Sequence, residues 1–220
     1  MFMKESSVHV IEIGKERLDE AVEILTLAFE NDPTSQYFFS DHDRPLINMV
    51  RELYRYICER QLAYDYPILG SLNNDRLSGV ACVQPPGVKA QPNLKPEQYE
   101  KRFGSLIGRN ALNRMMKHHK VTSTHLPDKL CYYLVALGVH PDEQGQGYGR
   151  ALLDAVHDIV DLDADSIGTS LDTTNPVNAP MYEHFRFQVI AEDNVDNALD
   201  VWIMFRLNRA TTECDALSQI

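Results

Sequence analysis

Residues 130–150 read Leu130-Cys-Tyr-Tyr-Leu-Val-Ala-Leu-Gly-Val-His-Pro-Asp-Glu-Gln-Gly-Gln-Gly-Tyr-Gly-Arg150, and their reading decides the fold. A β-rich apolar run passes into a glycine-dense turn, after which Ala151, Leu152, Ala155, Val156, Ile159 and Val160 fall on one side of a helix. Gly145, Gly147 and Gly149, at alternate positions, leave the main chain uncovered by Cβ atoms. Its N–H groups can then close around phosphate oxygens at a helix N-terminus, where the dipole also favours negative charge. The stretch predicts a strand, an anion cradle and a helix start, with a nucleotide pyrophosphate as the ligand.

Upstream, residues 8–13 alternate as a first strand that Gly14 ends, and Leu18, Ala21, Val22, Leu25, Ala28 and Phe29 carry helical spacing through residues 15–30. Residues 31–40 break that period at Pro33 and then offer Tyr37, Phe38 and Phe39, which suits a pocket wall. A second helix is expected over 44–63. Residues 66–72 and 77–84 flank a polar turn at 73–76 and predict an antiparallel pair. The Pro-rich loop from Pro85 to Pro96 cannot continue a sheet, and a helical stretch follows to about residue 120, with a break expected near Gly104 or Gly108. His118 and His119 near its end are adjacent, not spaced i, i+4, so they predict a solvated face and no metal site.

Downstream, residues 166–172 predict a strand. Residues 173–178 form a turn with capping residues and Pro176, and they lead into a short helix through Met181, Tyr182 and Phe185. Residues 187–191 and 199–206 alternate as two last strands. The chain of 220 residues therefore reads as one domain over 1–207 with a C-terminal tail over 208–220.

The net charge of −11 argues against broad binding to nucleic acid or anionic membranes and suits a cationic or neutral partner. No apolar run approaches the ~20 residues needed to span a bilayer. No export signal is visible at the start, so a cytoplasmic location is expected. Cys58, Cys82, Cys131 and Cys214 lack the spacings of zinc sites or disulfide scaffolds and are expected as buried thiols.

The glycine turn departs from two familiar phosphate seats. A P-loop needs Lys-Ser/Thr after its last glycine, and here Gly149 is followed by Arg150-Ala151. A dinucleotide fingerprint wants G-x-G-x-x-G directly after the strand, whereas here the spacing is G-x-G-x-G and residues 141–144 intervene. Residues 161–172 mimic a calcium loop, but Ser166 stands where that loop needs Gly and Asp172 where it needs a bidentate Glu.

Gln144-x-x-Gly147-x-Gly149, preceded by Leu137-Gly-Val-His-Pro141 and followed by Asn175-x-x-Asn178-x-x-x-Tyr182-Glu183, resembles the GCN5-related N-acetyltransferase (GNAT) family. Asp32-Pro33, the same glycine turn and the closing Val201-Trp-Ile-Met204 make the chain look most similar to the puromycin-N-acetyltransferase-like branch. The resemblance implies an α/β (α+β) fold, a mixed, mostly antiparallel sheet of six or seven strands with helices on both faces. It also implies direct transfer of acetyl from acetyl-CoA to a primary amine, expected to be a small molecule, in a ternary complex without a metal. A monomer or homodimer is expected. Two rival readings are a non-catalytic acyl-CoA-binding module and a dinucleotide-dependent oxidoreductase.

By that resemblance, Gln144, Gly145, Gln146, Gly147, Tyr148, Gly149 and Arg150 hold the coenzyme A pyrophosphate, and Leu137, Gly138, Val139 and Asn175 meet the pantetheine arm. Gly138, in an otherwise apolar strand, predicts a bulge or a close approach by the ligand. Tyr182 is implied as general acid to the departing thiolate, whose ordinary pKa is about 8.5. The general base is less evident. Many relatives carry a Glu on the glycine-bearing strand, where this chain offers Tyr133, Val135 and Leu137; Asp172 is the first candidate and His140 the second. Arg186 stands before Phe187 where relatives usually have Gly, so the short helix must turn without the residue that best tolerates a left-handed backbone.

Overall fold

The computed structural model describes residues 8–87 and 96–209. Most of the Pro-rich loop, most of the expected tail and Cys214 lie outside the described residues. Within them the chain runs β1 (His9–Glu12), α1 (Leu18–Phe29), α2 (Pro33–Phe38), α3 (Leu46–Tyr64), β2 (Ile68–Asn73), β3 (Arg76–Gln84), α4 (Pro96–Thr124) and β4 (Tyr132–Val139). It continues through α5 (Tyr148–Leu162), β5 (Gly168–Thr173), α6 (Asn178–Glu183), β6 (Gln188–Val195) and β7 (Leu199–Leu207). One seven-stranded sheet has the order β1-β2-β3-β4-β5-β7-β6. Every neighbouring pair is antiparallel except β4 with β5.

Alternation along the strands supplies two apolar faces. Ile68, Val80 and Cys82 face α1 and α3, where Leu25, Met49 and Val50 are buried. Leu69, Ala81 and Val83 face the other way, onto Leu152, Leu153, Val156 and Val160 of α5. Each such fully buried aliphatic side chain contributes roughly 1.5–3 kcal/mol relative to leaving it in water. The β2–β3 hairpin closes through Asn74 and Asp75 with φ of 46° and 67°, both residues that accept left-handed backbone.

Residues 31–40 carry a short helix: Asp32 caps α2 by accepting from the Thr34 N–H at 2.9 Å, and Pro33 takes the first helical position. One local expectation changes. The bulge in β4 lies not at Gly138 but at Val135, where the register passes from Cys82↔Ala136 to Val83↔Leu134. Gly138 pairs regularly with Val80, and a Cβ there would come within 2.8 Å of the Ala28 Cβ on α1. Glycine is thus required by helix packing. The bulge switches the faces of the strand, so that Tyr132 and Leu134 pack toward α5 while Ala136 packs toward α1.

The long helix α4 breaks at Gly108, whose φ of 74° and ψ of 170° are essentially confined to glycine. At the end of α6, Arg186 adopts φ of 68°, and the Phe187 N–H reaches back to the Tyr182 carbonyl at 3.2 Å. The helix is closed by a left-handed residue, as expected, with arginine in a glycine position.

Candidate active site

The strand before the glycine turn and the strand after α5 part company early. β4 and β5 pair only at Tyr132↔Thr169 and Tyr133↔Ser170, after which β5 continues against β7 through Thr173↔Trp202. A wedge-shaped gap opens beyond Tyr133. The glycine turn lies just past the end of β4, where the short 3-10 turn Pro141–Glu143 leads into it. Gly145 and Gly147 take φ of 75° and 92°, and a Cβ on either would point into open space. No side chain caps α5, and its first turn carries no acidic residue. Its first N–H groups have no intrahelical acceptor, so the turn fits a phosphate-bearing group in both shape and polarity.

The other residues read as holding the cofactor take different positions. Gln144 sends Nε2 back to the Val139 carbonyl at 3.4 Å, joining turn and strand. Arg150 is exposed, and its guanidinium stacks 5.3 Å from the Phe185 ring centroid on the far side. Gln146 donates to the Asp142 carbonyl at 3.4 Å, and the Tyr148 ring is buried, turned toward His9 and Leu72, so only its main chain faces the turn. Asn175 accepts from the Val177 N–H at 3.1 Å, a turn within the loop, and its neighbour Asn178 donates to Thr173 Oγ1 at 3.3 Å.

A cavity of about 230 Å³ occupies the gap, and Tyr182, Asp172, His118, Tyr133 and Asp32 share its lining with Leu137. The Tyr133 hydroxyl donates to Asp172 Oδ1. The buried His118 Nε2 lies 3.1 Å from the other carboxylate oxygen, Oδ2, but outside hydrogen-bond geometry, and it has no hydrogen-bond partner among the described residues. The side chains of His118 and Asp172 are 13% and 12% exposed, so the pair is largely shielded from water. Burial, and then the negative charges of Asp172 and Asp32, hold the Tyr182 phenol well above its ordinary pKa. Burial likewise raises the Asp32 carboxyl, against the lowering effect of its bonds to Thr34, with Asp172 adding to the rise. The cavity therefore combines a retained phenolic proton with a fixed carboxylate and imidazole.

Asp172 and Tyr182, both expected as catalytic, are brought together in this cavity. His140 is not. Its Nδ1 accepts from the Asp142 N–H at 3.2 Å in the turn, and it lines neither this cavity nor the larger one beside it. His118 was expected on a solvated face and instead faces the site, while His119 lies exposed beside it. Ala111, Met115, His118 and Thr122 recur at helical spacing on the covered side of α4, a stripe that could have singled out His118 from His119.

A larger cavity of about 940 Å³ adjoins the first, sharing Phe38, Leu53, Ile57, Tyr133 and Val135 with it. Phe38, from the expected pocket segment, and residues 85–87, from the Pro-rich loop, both contribute to its walls. Its lining is dominated by Phe38, Leu53, Tyr56, Ile57 and Met115, with Glu100 and Arg60 among its few charges.

Comparison with known proteins agrees with this geometry. Residues 101–189 match the sequence-family model described as an acetyltransferase (GNAT) domain. An uncharacterised N-acetyltransferase of Schizosaccharomyces pombe is 38% identical over 60 residues, a segment that is 27% of this chain and only 24% of that relative. The histone acetyltransferase HPA2 and related acetyltransferase of Corynebacterium glutamicum superposes with a TM-score of 0.66 at 20% identity, covering 94% of this chain and 99% of the other. Arylalkylamine N-acetyltransferase 2 of Aedes aegypti superposes with a TM-score of 0.64 at 14% identity, covering 92% and 99%. At such identities the superpositions establish the fold alone, and the family model matches residues 101–189, less than half of the chain.

Proposed function

We propose that the protein transfers acetyl from acetyl-CoA to a primary amine, with the gap between β4 and β5 as the place of reaction. The observation that carries this reading is that one wedge has an uncapped glycine turn at one end and Tyr182 with Asp172 inside it. Acetyl-CoA, when bound, supplies an activated thioester carbonyl. The turn at 144–150 would hold its pyrophosphate, and the main chain at Leu137 and Val139 would pair with its pantetheine amides as an added strand would. A main-chain N–H of β4 would stabilise charge developing on the carbonyl oxygen. Tyr182, kept protonated by burial and by its anionic neighbours, holds a proton for the departing sulfur. Asp172 supports deprotonation of the amine from the opposite wall.

The apolar walls of the adjoining cavity suit a small-molecule amine with an apolar body. Asp32-Pro33, the Leu-Gly-Val-His-Pro segment and the Val201–Met204 segment support a finer place near the puromycin-N-acetyltransferase-like branch. The net charge of −11 supports a cationic acceptor and a soluble setting.

Calorimetry with CoA, paired with thiol release from acetyl-CoA over a panel of alkyl- and arylalkylamines, tests the proposal. CoA binding with release for at least one amine is expected, and Tyr182→Phe should lower turnover while keeping CoA affinity. Binding without release for any amine would favour an acyl-CoA sensor, and binding of NAD(P) with indifference to CoA would favour an oxidoreductase.

A further inference from the structure

We infer that His118 is the base that takes the amine proton, through Nδ1, and that Asp172 is its positioning residue. The inference rests on the acetyltransferase reading for the identity of the proton donor, but its geometry stands in the protein alone. Asp172 presents one carboxylate oxygen to each of two neighbours. Oδ1 accepts from the Tyr133 hydroxyl, and Oδ2 lies 3.1 Å from His118 Nε2. The carboxylate thus stands at hydrogen-bond distance from Nε2, and a turn of the ring would complete the bond. It is well arranged to fix a neutral imidazole with the proton on Nε2. The ring is held further by an edge contact to Phe38, at 5.5 Å between centroids and 86° between planes.

His118 Nδ1 then carries the free lone pair. It makes no hydrogen bond among the described residues and, unlike Nε2, is not closed off from solvent. It belongs to a residue lining the cavity of Tyr182, and Phe38 and Tyr133 carry that cavity into the larger apolar one. An amine entering from the larger cavity would meet the imidazole in the gap between β4 and β5. Because α4 supplies this residue, the chain needs no carboxylate on β4, where Tyr133, Val135 and Leu137 stand.

The proton bookkeeping closes. The amine attacks in its neutral form, a C–N bond forms as the C–S bond breaks, and the surplus proton on nitrogen goes to Nδ1. Sulfur takes the Tyr182 proton. His118 returns its proton, and Tyr182 recovers one, through solvent, so amide and free thiol are the only net products.

The groups facing His118 are Asp172 on β5, Tyr133 on β4, Asp32 before α2, Tyr182 on α6 and Tyr54 on α3, and on its own helix Arg114 and Lys117 are engaged by Asp41 and Asp196. Most of the charge near the ring is therefore negative.

Two measurements decide the matter. In the protein without ligand, long-range nitrogen–proton NMR of labelled histidines should show neutral His118 with its proton on Nε2, and Asp172→Asn should erase that preference. A proton found on Nδ1 overturns the inference. In turnover with acetyl-CoA and an amine that the wild type accepts, His118→Ala and His118→Gln should each lower kcat by about 100-fold or more and leave CoA affinity unchanged. Retention of the rate in either folded variant also overturns it, and points to Asp172 acting directly. If the wild type binds CoA but releases no thiol with any amine, the transferase reading fails instead, and the tautomer measurement alone decides the geometry.

Discussion

Arg206 and Asp161 meet in a two-pronged pair, with Nη1–Oδ1 at 3.0 Å and Nη2–Oδ2 at 2.8 Å, and their side chains are 2% and 12% exposed. The pair ties β7 to the last turn of α5, the helix whose first turn would form the proposed anion cradle. Burial alone would raise the Asp161 carboxyl, but the bonds from Arg206 and from the Arg209 main chain, with both positive charges, hold it below the usual range. Asp161→Asn should cost about 3 kcal/mol, because it leaves the guanidinium buried without its counter-charge. Joint replacement by Arg206→Met and Asp161→Leu should recover most of that loss, since well-packed apolar pairs often match buried ion pairs. Urea unfolding of the three proteins measures both effects, and an additive loss in the double variant would contradict the account.

His157 neighbours the same guanidinium, and its pKa is lowered to about 4, first by burial and then by Arg206. A histidine whose folded pKa lies below its unfolded value, about 6.5, resists protonation only while the chain is folded. Its contribution is therefore complete above about pH 6.5 and lost progressively as pH falls toward 4. Wild-type stability should decline from pH 7 to pH 5, and His157→Gln should flatten the decline over that window. Parallel curves for the two proteins would show that other groups govern the acid response.

Arg186 carries φ of 68° at the end of α6, with no ion pair to recompense it among the described residues. Left-handed backbone costs a non-glycine residue roughly 1–2 kcal/mol, and glycine returns part of this through its freer unfolded chain. Arg186→Gly should raise stability by about 0.5–1 kcal/mol, whereas the β-branched Arg186→Val should lower it. Thermal unfolding followed by circular dichroism reads both signs.

Gly147 has φ of 92° with open space where a Cβ would stand. Gly147→Ala should therefore strain the turn by about 1–2 kcal/mol. Gly147→Glu adds a negative charge at the cradle and should abolish CoA binding in calorimetry while the far-ultraviolet spectrum stays unchanged. Undiminished CoA affinity in the folded Glu variant would remove the turn from the cofactor seat.

The parts of the fold that were legible in sequence are those fixed by local rules. The 3.6-residue spacing of Leu18 to Phe29, the short polar turn around Asn74 and Asp75, and the glycine turn each encode their own conformation. α2 was legible too, in Asp32-Pro33 as cap and first helical residue, but Pro33 reads equally as a break and the three following aromatics as a pocket wall. The β4 bulge had no sequence signature of its own: Val135 is an ordinary strand residue, and only its register against Cys82 and Val83 shows that the strand changes faces there. Gly138 signalled a close approach correctly and its partner incorrectly, because Ala28 lies 110 residues earlier in the chain. The Asp172–His118 meeting is likewise long-range. Asp172 was singled out by its place at a strand end, and the stripe of Ala111, Met115, His118 and Thr122 marks the covered side of the helix, but no local signal near His118 names β5 as what that side meets.

That break gives the second half of α4 two duties. One short rod holds Met115, His119 and Thr122 over the cavity that would select the acceptor, and His118 over the gap where it would react. Its anchors are at its ends, through Arg114 to Asp41 and the Phe38 carbonyl and through His125 to Asp193 at 2.7 Å, while Lys117 reaches Asp196 at 2.7 Å between them. A change of side chain that tilts the rod to admit a bulkier guest must also displace the imidazole. Broadened substrate choice and turnover number should consequently trade against each other in this scaffold, and laboratory evolution toward new amines would have to alter the cavity floor on α3 before touching its roof.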